Sequence, residues 1–126
     1  MKAKIIKKPN INEILNLSSI FRLESPININ EYKNIIEFFD DNDNLIGFVN
    51  YVENHYLDYT KSFINMIYFT EDTYLDMMIK LMIKQLKQKK YSYALLNSES
   101  DLFDKNTIKI LKLNNFAGDD FLFLNL

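Results

Sequence analysis

The chain has 126 residues, of which 48% are hydrophobic and 25% are charged. This length and balance predict a single folded domain over 1–126 and exclude a disordered tail. The net charge of −2 gives no electrostatic basis for binding nucleic acid. The absence of cysteine and the single histidine exclude disulfides, thiolate nucleophiles and multi-histidine metal sites. No apolar run approaches the ~20 residues that span a membrane, so we expect a cytoplasmic protein with no membrane partner.

The N-terminal half shows the patterns of a strand, a helix and then a hairpin. Lys2–Lys7 predicts the strand. Asn10 and Glu13 are spaced like a capping box for a helix from Ile11 to about Phe21, and Ser25-Pro26 breaks the helical pattern. The hairpin is predicted from two β-rich runs on either side of an Asp/Asn turn, at Tyr32–Phe39 and Leu45–Val52.

The C-terminal half predicts a central strand followed by a long amphipathic helix. A loop is expected at 54–61 and a strand at Ser62–Phe69. Its segment FINMIYF is apolar on both faces apart from Asn65, which is typical of a strand covered on both sides. The segment TEDT at 70–73 offers capping residues for a helix over about 73–89. The remaining elements are a strand at Tyr91–Asn97, a short helix at Asn106–Leu113 and a strand at Phe121–Leu126.

The predicted order of elements is β-α-β-β-β-α-β-α-β, which indicates an α/β (α+β) fold with one mixed sheet. The hairpin makes the N-terminal half of the sheet antiparallel. The unit 62–97 reads as a strand, a crossover helix and a second strand, so its two strands should be parallel.

The long helix has more apolar surface than contact with one sheet requires. Positions 75, 78, 79, 82, 83 and 86 form the stripe expected to face the sheet. Tyr74, Met77 and Leu81 form a second stripe beside it. The second stripe is either buried within the chain or a surface for a protein partner or a second copy.

Four segments resemble the GNAT family of acetyl-CoA-dependent N-acetyltransferases. DNDNLIGFVNY at 41–51 is similar to the acidic turn and glycine-containing strand of that family, and FINMIYF at 63–69 to its central strand. LMIKQLKQKKYSYALLN at 81–97 and IKILKLNNF at 108–116 resemble the helix, strand and helix that follow. The resemblance covers nearly the whole chain and implies the GNAT fold, with the last strand beside the strand at 91–97.

The resemblance also implies where acetyl-CoA would bind. In the family the central strand is followed by the motif Arg/Gln-x-x-Gly-x-Gly/Ala, whose glycines let the backbone approach the pyrophosphate. The three defining positions fall at about Thr70, Thr73 and Leu75, so none of the family's residues is kept. Glu71 and Asp72 add negative charge to the same segment. A tyrosine that serves as general acid in the family falls at Leu111. A cofactor would then be held by the backbone of Met66–Phe69 and by residues among Tyr68, Phe69, Thr70, Thr73, Tyr74, Leu75 and Asn97.

Two functions stay open from the sequence. One is a non-catalytic binding or structural module with a degenerate acetyl-CoA loop. The other is a divergent N-acetyltransferase for an unknown amine, with Glu53 or Glu71 as candidate bases. His55 is expected in the surface loop at 54–61 without an identifiable partner side chain, and Tyr56 and Tyr59 share that loop.

Overall fold

A computed structural model describes residues 1–23 and 31–126 of the chain, and the predicted order of elements is confirmed there. The predicted break at Ser25-Pro26 lies outside the described residues. In chain order the elements are β1 (Lys2–Lys7), α1 (Ile11–Phe21), β2 (Asn34–Phe39), β3 (Leu45–His55), β4 (Thr60–Phe69), α2 (Leu75–Gln88), β5 (Tyr93–Asn97), α3 (Lys105–Leu113) and β6 (Phe121–Asn125), with a 3₁₀ turn at Asp72–Tyr74 before α2. None of the described helices is long and apolar enough to cross a membrane.

Within the described residues, the six strands form one sheet in the order in which they occur in the chain. All neighbouring strands are antiparallel except β4 and β5, which α2 connects and which are parallel. The mixed sheet, its antiparallel N-terminal half and the parallel crossover are therefore as predicted. β6 pairs with β5 as the resemblance implied, and Ala117 bridges the outer edge of β6 at Phe123.

The loop between β3 and β4 is shorter than the sequence predicted. β3 continues to His55 and β4 begins at Thr60, because the antiparallel ladder extends to that pair. The turn is closed by a 2.8 Å hydrogen bond from the Tyr56 N–H to the Tyr59 carbonyl, and the two rings stack with centroids 4.7 Å apart. The prediction that His55 lies in a loop is therefore wrong.

Helices cover both faces of the sheet and create two cores. α1 packs on one face, where Ile14 and Leu17 are buried with Phe48 and Met66. α2 and α3 cover the other face with a larger core that includes Met78, Met82 and Leu111. The predicted sheet-facing stripe of α2 is buried at Leu75, Met78, Ile79, Met82 and Leu86.

The second stripe of α2 is only partly free. Tyr74 and Leu81 are half-buried and pack against the core of their own chain, whereas Met77 is 54% exposed. A shallow cavity of about 190 Å³ beside Met77 is also lined by Met1, Lys80 and Lys84. Burial within the chain thus accounts for much of the apolar width that the sequence shows on this helix.

Candidate functional site

β4 and β5 are paired only where they begin. Their parallel register joins Lys61 to Tyr93, Ser62 to Ala94 and Phe63 to Leu95. Beyond Phe63, β4 has no strand partner on its β5 side in the described part of the chain, although β3 pairs with its other side as far as Phe69. The two strands therefore diverge, and backbone groups on one edge of β4 are left for another hydrogen-bonding partner.

A β-bulge in β4 lies where the strands begin to diverge. The register between β3 and β4 shifts between Asn50 and Tyr51, which leaves Asn65 as an extra residue between Ile64 and Met66. Fully buried Asn50 holds this bulge, because its Nδ2 donates a 2.6 Å hydrogen bond to Asn65 Oδ1. Bulges commonly redirect a side chain next to a functional site.

A cavity of about 190 Å³ opens at this point, which we call the splay cavity. It is lined by Phe63, Ile64, Asn65, Asn97, Ser100, Leu102 and Phe103. The side-chain oxygens of Asn65 and Asn97 are occupied, by Asn50 Nδ2 and by the Glu99 N–H. Their Nδ2 groups donate to no protein atom in the described residues, so both amides can donate to a ligand.

The segment between β4 and α2 begins the helix without a side-chain cap. The Thr70 N–H donates to the Ile46 carbonyl, and the Tyr74 and Leu75 N–H groups donate to the carbonyls of Glu71 and Asp72. The Thr73 hydroxyl lies 3.4 Å from a Glu71 carboxylate oxygen and caps no backbone group. The sequence prediction that TEDT caps this helix is wrong, since a 3₁₀ turn leads into α2 instead.

Two carboxylates, one in the 3₁₀ turn before α2 and one in the first turn of α2, contact asparagines in α3 and directly after it. Asn114 Nδ2 donates to Asp76 Oδ1 at 2.9 Å, and Asn106 Nδ2 lies 3.4 Å from Asp72 Oδ1. Lys80 also donates to Asp76, at 2.6 Å. The hydrogen bond from Lys80, followed by that from Asn114, lowers the pKa of Asp76 below its usual value. Asp76 is thus ionised at neutral pH in the first turn of α2. The N-terminus of a helix is the end that attracts an external anion, so this carboxylate opposes such binding.

The predicted cofactor residues lie in two separate places. Asn97 lines the splay cavity, whereas Tyr68, Phe69, Thr70, Thr73, Tyr74 and Leu75 follow one another from the end of β4 into α2. The Leu75 side chain is fully buried and its N–H is already bonded to Asp72, so it offers no group to a ligand. Tyr68 stacks on Phe48 with ring centroids 5.2 Å apart, on the face that α1 covers. Contact of these residues with acetyl-CoA stays a prediction.

Most of the other residues that line the splay cavity could not be identified from the sequence. Asn65 stands out in the sequence as the one polar residue of the segment FINMIYF, but only the register with β3 reveals that it lies in a bulge. Ser100, Leu102 and Phe103 lie in the segment between β5 and α3, where the sequence predicted no element. No periodic pattern could have assigned these residues to the cavity.

The candidate base Glu53 belongs to a different cluster, with Tyr91, Tyr51 and His55. Glu53 accepts a short hydrogen bond from the Tyr91 hydroxyl, which lies 3.3 Å from the Tyr51 hydroxyl. His55 Nε2 lies 3.1 Å from Glu53 Oε2, and His55 Nδ1 lies 3.2 Å from the Thr60 hydroxyl. The sequence alone identified no partner side chain for His55, and the structure supplies Glu53 and Thr60. Glu53 does not line the splay cavity.

The charges in this cluster keep Glu53 ionised and Tyr91 protonated. Burial alone would raise the pKa of Glu53, but hydrogen bonds from Tyr91 and His55, together with the Lys7 charge, outweigh burial and lower it. Burial, followed by the hydrogen bond to Glu53, raises the pKa of Tyr91 far above its usual value. Tyr91 therefore donates to a carboxylate across the neutral range.

Replacing Tyr91 with phenylalanine should lower the free energy of unfolding by about 1–3 kcal/mol, because Glu53 and fully buried Tyr51 both lose a hydrogen-bond partner. Because the folded-state pKa of Glu53 lies below the ordinary 4.5, its stabilising contribution is present above that pH and is lost as the pH falls. In chemical denaturation, the difference in the free energy of unfolding between the wild type and Tyr91→Phe should therefore become smaller below pH 4.5. Tyr93→Phe is the control, and an equal loss in both variants would contradict this role for Tyr91.

No family model matches the sequence, and no curated protein matches it either. The fold, in contrast, is similar to solved acetyltransferase structures. An N-acetyltransferase from Staphylococcus aureus Mu50 superposes with a TM-score of 0.67 at 15% identity, over 98% of this chain and 96% of that one. A ribosomal-protein-alanine N-acetyltransferase from Brucella melitensis biovar Abortus 2308 gives a TM-score of 0.65 at 14% identity, over 94% of each chain. The chain therefore has the GNAT fold.

Proposed function

We propose that this chain is a GNAT-fold domain that no longer uses acetyl-CoA in catalysis and serves as a binding or structural module. The observation that carries the proposal is the start of α2, where Asp72 and Asp76 contact α3. In the fold's acetyltransferases we expect an anionic pyrophosphate at this helix end. Here the chain's own carboxylates occupy the region instead.

Like charges at short range oppose the binding of a pyrophosphate at the start of α2. A pyrophosphate brought within about 4 Å of one carboxylate meets a repulsion of about 1–4 kcal/mol at the dielectric of water or of a protein surface. Asp76 is already paired with Lys80, so that lysine does not offset the charge of Asp72 or Glu71. No glycine in 70–75 lets a phosphate approach the backbone closely. Binding of the nucleotide half of acetyl-CoA is therefore disfavoured.

The chemistry of acyl transfer also lacks its usual proton donor. The residue in the position of the family's tyrosine is Leu111, which is fully buried in the core and has no proton to donate. Glu53 binds Tyr91 and His55 outside the splay cavity. Glu71, the other candidate base, contacts Thr73. None of these groups is arranged to accept a proton from an amine bound in the cavity.

A divergent N-acetyltransferase is the second candidate, and the splay cavity favours it. The free amides of Asn65 and Asn97 could donate to the carbonyl groups of a pantetheine arm or an acyl group, and the unpaired edge of β4 could hold the same arm. An acceptor amine would then attack the thioester directly, with catalysis by positioning. At about 190 Å³ the cavity is smaller than the roughly 300–1,000 Å³ of ordinary ligand pockets, so it would have to open.

Paired calorimetric titrations with acetyl-CoA and S-acetyl pantetheine test the proposal. The two ligands share the acyl-pantetheine arm, and only acetyl-CoA carries the pyrophosphate. We expect no heat of binding from acetyl-CoA at concentrations up to 1 mM, and no gain over S-acetyl pantetheine. A micromolar dissociation constant for acetyl-CoA, with at least tenfold weaker binding of S-acetyl pantetheine, would show a working pyrophosphate site and contradict the proposal.

The partner of such a module is proposed to contact α2. Met77 is the most exposed member of the Tyr74, Met77 and Leu81 stripe, and the cavity beside it is flanked by Lys80 and Lys84. Lys80 is paired with Asp76, so an apolar centre with Lys84 at its rim is suited to a partner protein with an acidic residue beside an apolar side chain. Association of the chain with such a partner, or with itself, stays a prediction.

A further inference from the structure

A second concave surface lies where β1 ends, β2 begins and β3 ends, and we call it the lysine groove. Its volume is about 450 Å³, within the usual range of small-molecule sites. Its polar lining consists of Lys7, Lys8, Lys33, Asn34, Glu53 and His55. It shares no lining residue with the splay cavity, so a ligand there would be independent of acetyl-CoA.

The lysine groove concentrates positive charge in a chain whose net charge is −2. Three lysines line it together with one carboxylate, Glu53. Both oxygens of that carboxylate have other contacts, Oε1 with Tyr91 and Oε2 with His55, and Lys7 Nζ is 4.0 Å from Oε1. Lys8 and Lys33 have no carboxylate within 4.0 Å among the described residues. Their charges are thus available to an external anion.

The backbone that carries these lysines is held in place before any ligand binds. The Lys8 N–H donates a 2.9 Å hydrogen bond to the Lys33 carbonyl, which keeps the two segments side by side. The Lys33 N–H donates to Asn50 Oδ1, and buried Asn34 donates to the Tyr51 carbonyl. Lys8 has a left-handed backbone with φ 50°, a conformation that costs energy in residues with side chains and is enriched at functional sites.

We infer that the lysine groove binds a small organic phosphate monoester, with the phosphate group contacting Lys8, Lys33 and Lys7. A dianionic phosphate presents three terminal oxygens to three ammonium groups, whereas a carboxylate presents two oxygens and one charge. Val52 and the aliphatic stems of the lysines provide apolar surface for the organic part of the ligand. The groove thus matches a small phosphorylated molecule in both charge and size.

Nuclear magnetic resonance titration of ¹⁵N-labelled protein with phenyl phosphate, and separately with inorganic phosphate, tests this inference at constant ionic strength. We expect saturable shifts centred on Lys8, Lys33 and His55, with tighter binding of phenyl phosphate than of inorganic phosphate. The double variant Lys8→Gln/Lys33→Gln should raise the dissociation constant at least tenfold. Both side chains are exposed, so the fold should be retained, as thermal melting would verify.

Lys87→Gln/Lys109→Gln is the matched control, because it removes the same charge from exposed positions on two helices, α2 and α3. It should leave the dissociation constant within twofold of the wild-type value. The inference is overturned if no shift saturates by 20 mM ligand, if both double variants weaken binding equally, or if the shifts spread over lysines throughout the surface. Each of those results would indicate general attraction between lysines and anions.

Discussion

Replacing Gly47 with alanine is expected to lower the free energy of unfolding by about 1–3 kcal/mol, because the added methyl group has no space. A Cβ atom at Gly47 would lie 2.7 Å from the Tyr68 carbonyl oxygen and would overlap the side chain of Met78. Met78 can move, but the carbonyl belongs to the backbone of β4, which is hydrogen-bonded to β3. The melting temperature should fall by about 5–10 °C for a domain of this size.

Ser19→Ala, on the exposed side of α1, is the control and should change stability by less than about 0.5 kcal/mol. Combining Gly47→Ala with Met78→Ala separates the two clashes. The double variant should lose less stability than the sum of the two single variants, since the clash with Met78 is removed. It should still be less stable than Met78→Ala alone, because the clash with the Tyr68 carbonyl of β4 remains. Wild-type stability for Gly47→Ala would show that α2 and β4 do not approach β3 so closely.

Replacing Asn50 with alanine should destabilise the fold by about 2–4 kcal/mol and loosen the bulge at the splay cavity. This fully buried side chain accepts from the Lys33 N–H at 3.1 Å and donates to the Glu31 carbonyl at 2.8 Å and to Asn65 at 2.6 Å. Alanine leaves all three groups without this partner. Chemical denaturation measures the loss, and hydrogen exchange in β4 would report the loosening around Asn65.

Two further substitutions isolate the role of Asn50. Asn125→Ala makes the same change at an exposed position in β6 and should be close to neutral. Asn50→Asp keeps an acceptor for Lys33 but removes both donated bonds, so it should be at least as destabilising as alanine. If Asn50→Asp were as stable as the wild type, donation to Glu31 and Asn65 would contribute nothing.

The sequence predicted the elements whose patterns are local and repeat. The hairpin from Asp/Asn turn residues, the helix from its apolar stripe and the parallel crossover from element order are all present in the structure. The capping box at Asn10 and Glu13 is also formed, with both reciprocal hydrogen bonds. The hairpin, the helix and the capping box are formed by residues close in the sequence, and the crossover follows from the order of those elements.

Features that depend on contacts between distant segments could not be predicted. The bulge at Asn65 depends on the register between β3 and β4, and Asn50 of the neighbouring strand bonds to it. Asp72 belongs to the TEDT segment predicted to cap the helix, but its carboxylate contacts Asn106 of α3 instead. The partners of His55, Glu53 and Thr60, are near it in the sequence, but the contact with Thr60 forms because the β3–β4 ladder continues to the His55–Thr60 pair. The candidate site is therefore defined by pairings between strands and helices that the sequence pattern does not encode locally.

The most direct test of the central claim is the melting temperature of the wild-type chain with and without 1 mM acetyl-CoA. If the dissociation constant were 10 µM, 1 mM acetyl-CoA would be 100 times that value and would raise the free energy of unfolding by about 2.7 kcal/mol. The melting temperature would then rise by several degrees. The carboxylates at the start of α2 and the absence of glycine from 70–75 lead us to expect a shift below 1 °C. A reproducible rise of 5 °C or more would contradict the loss of the cofactor site.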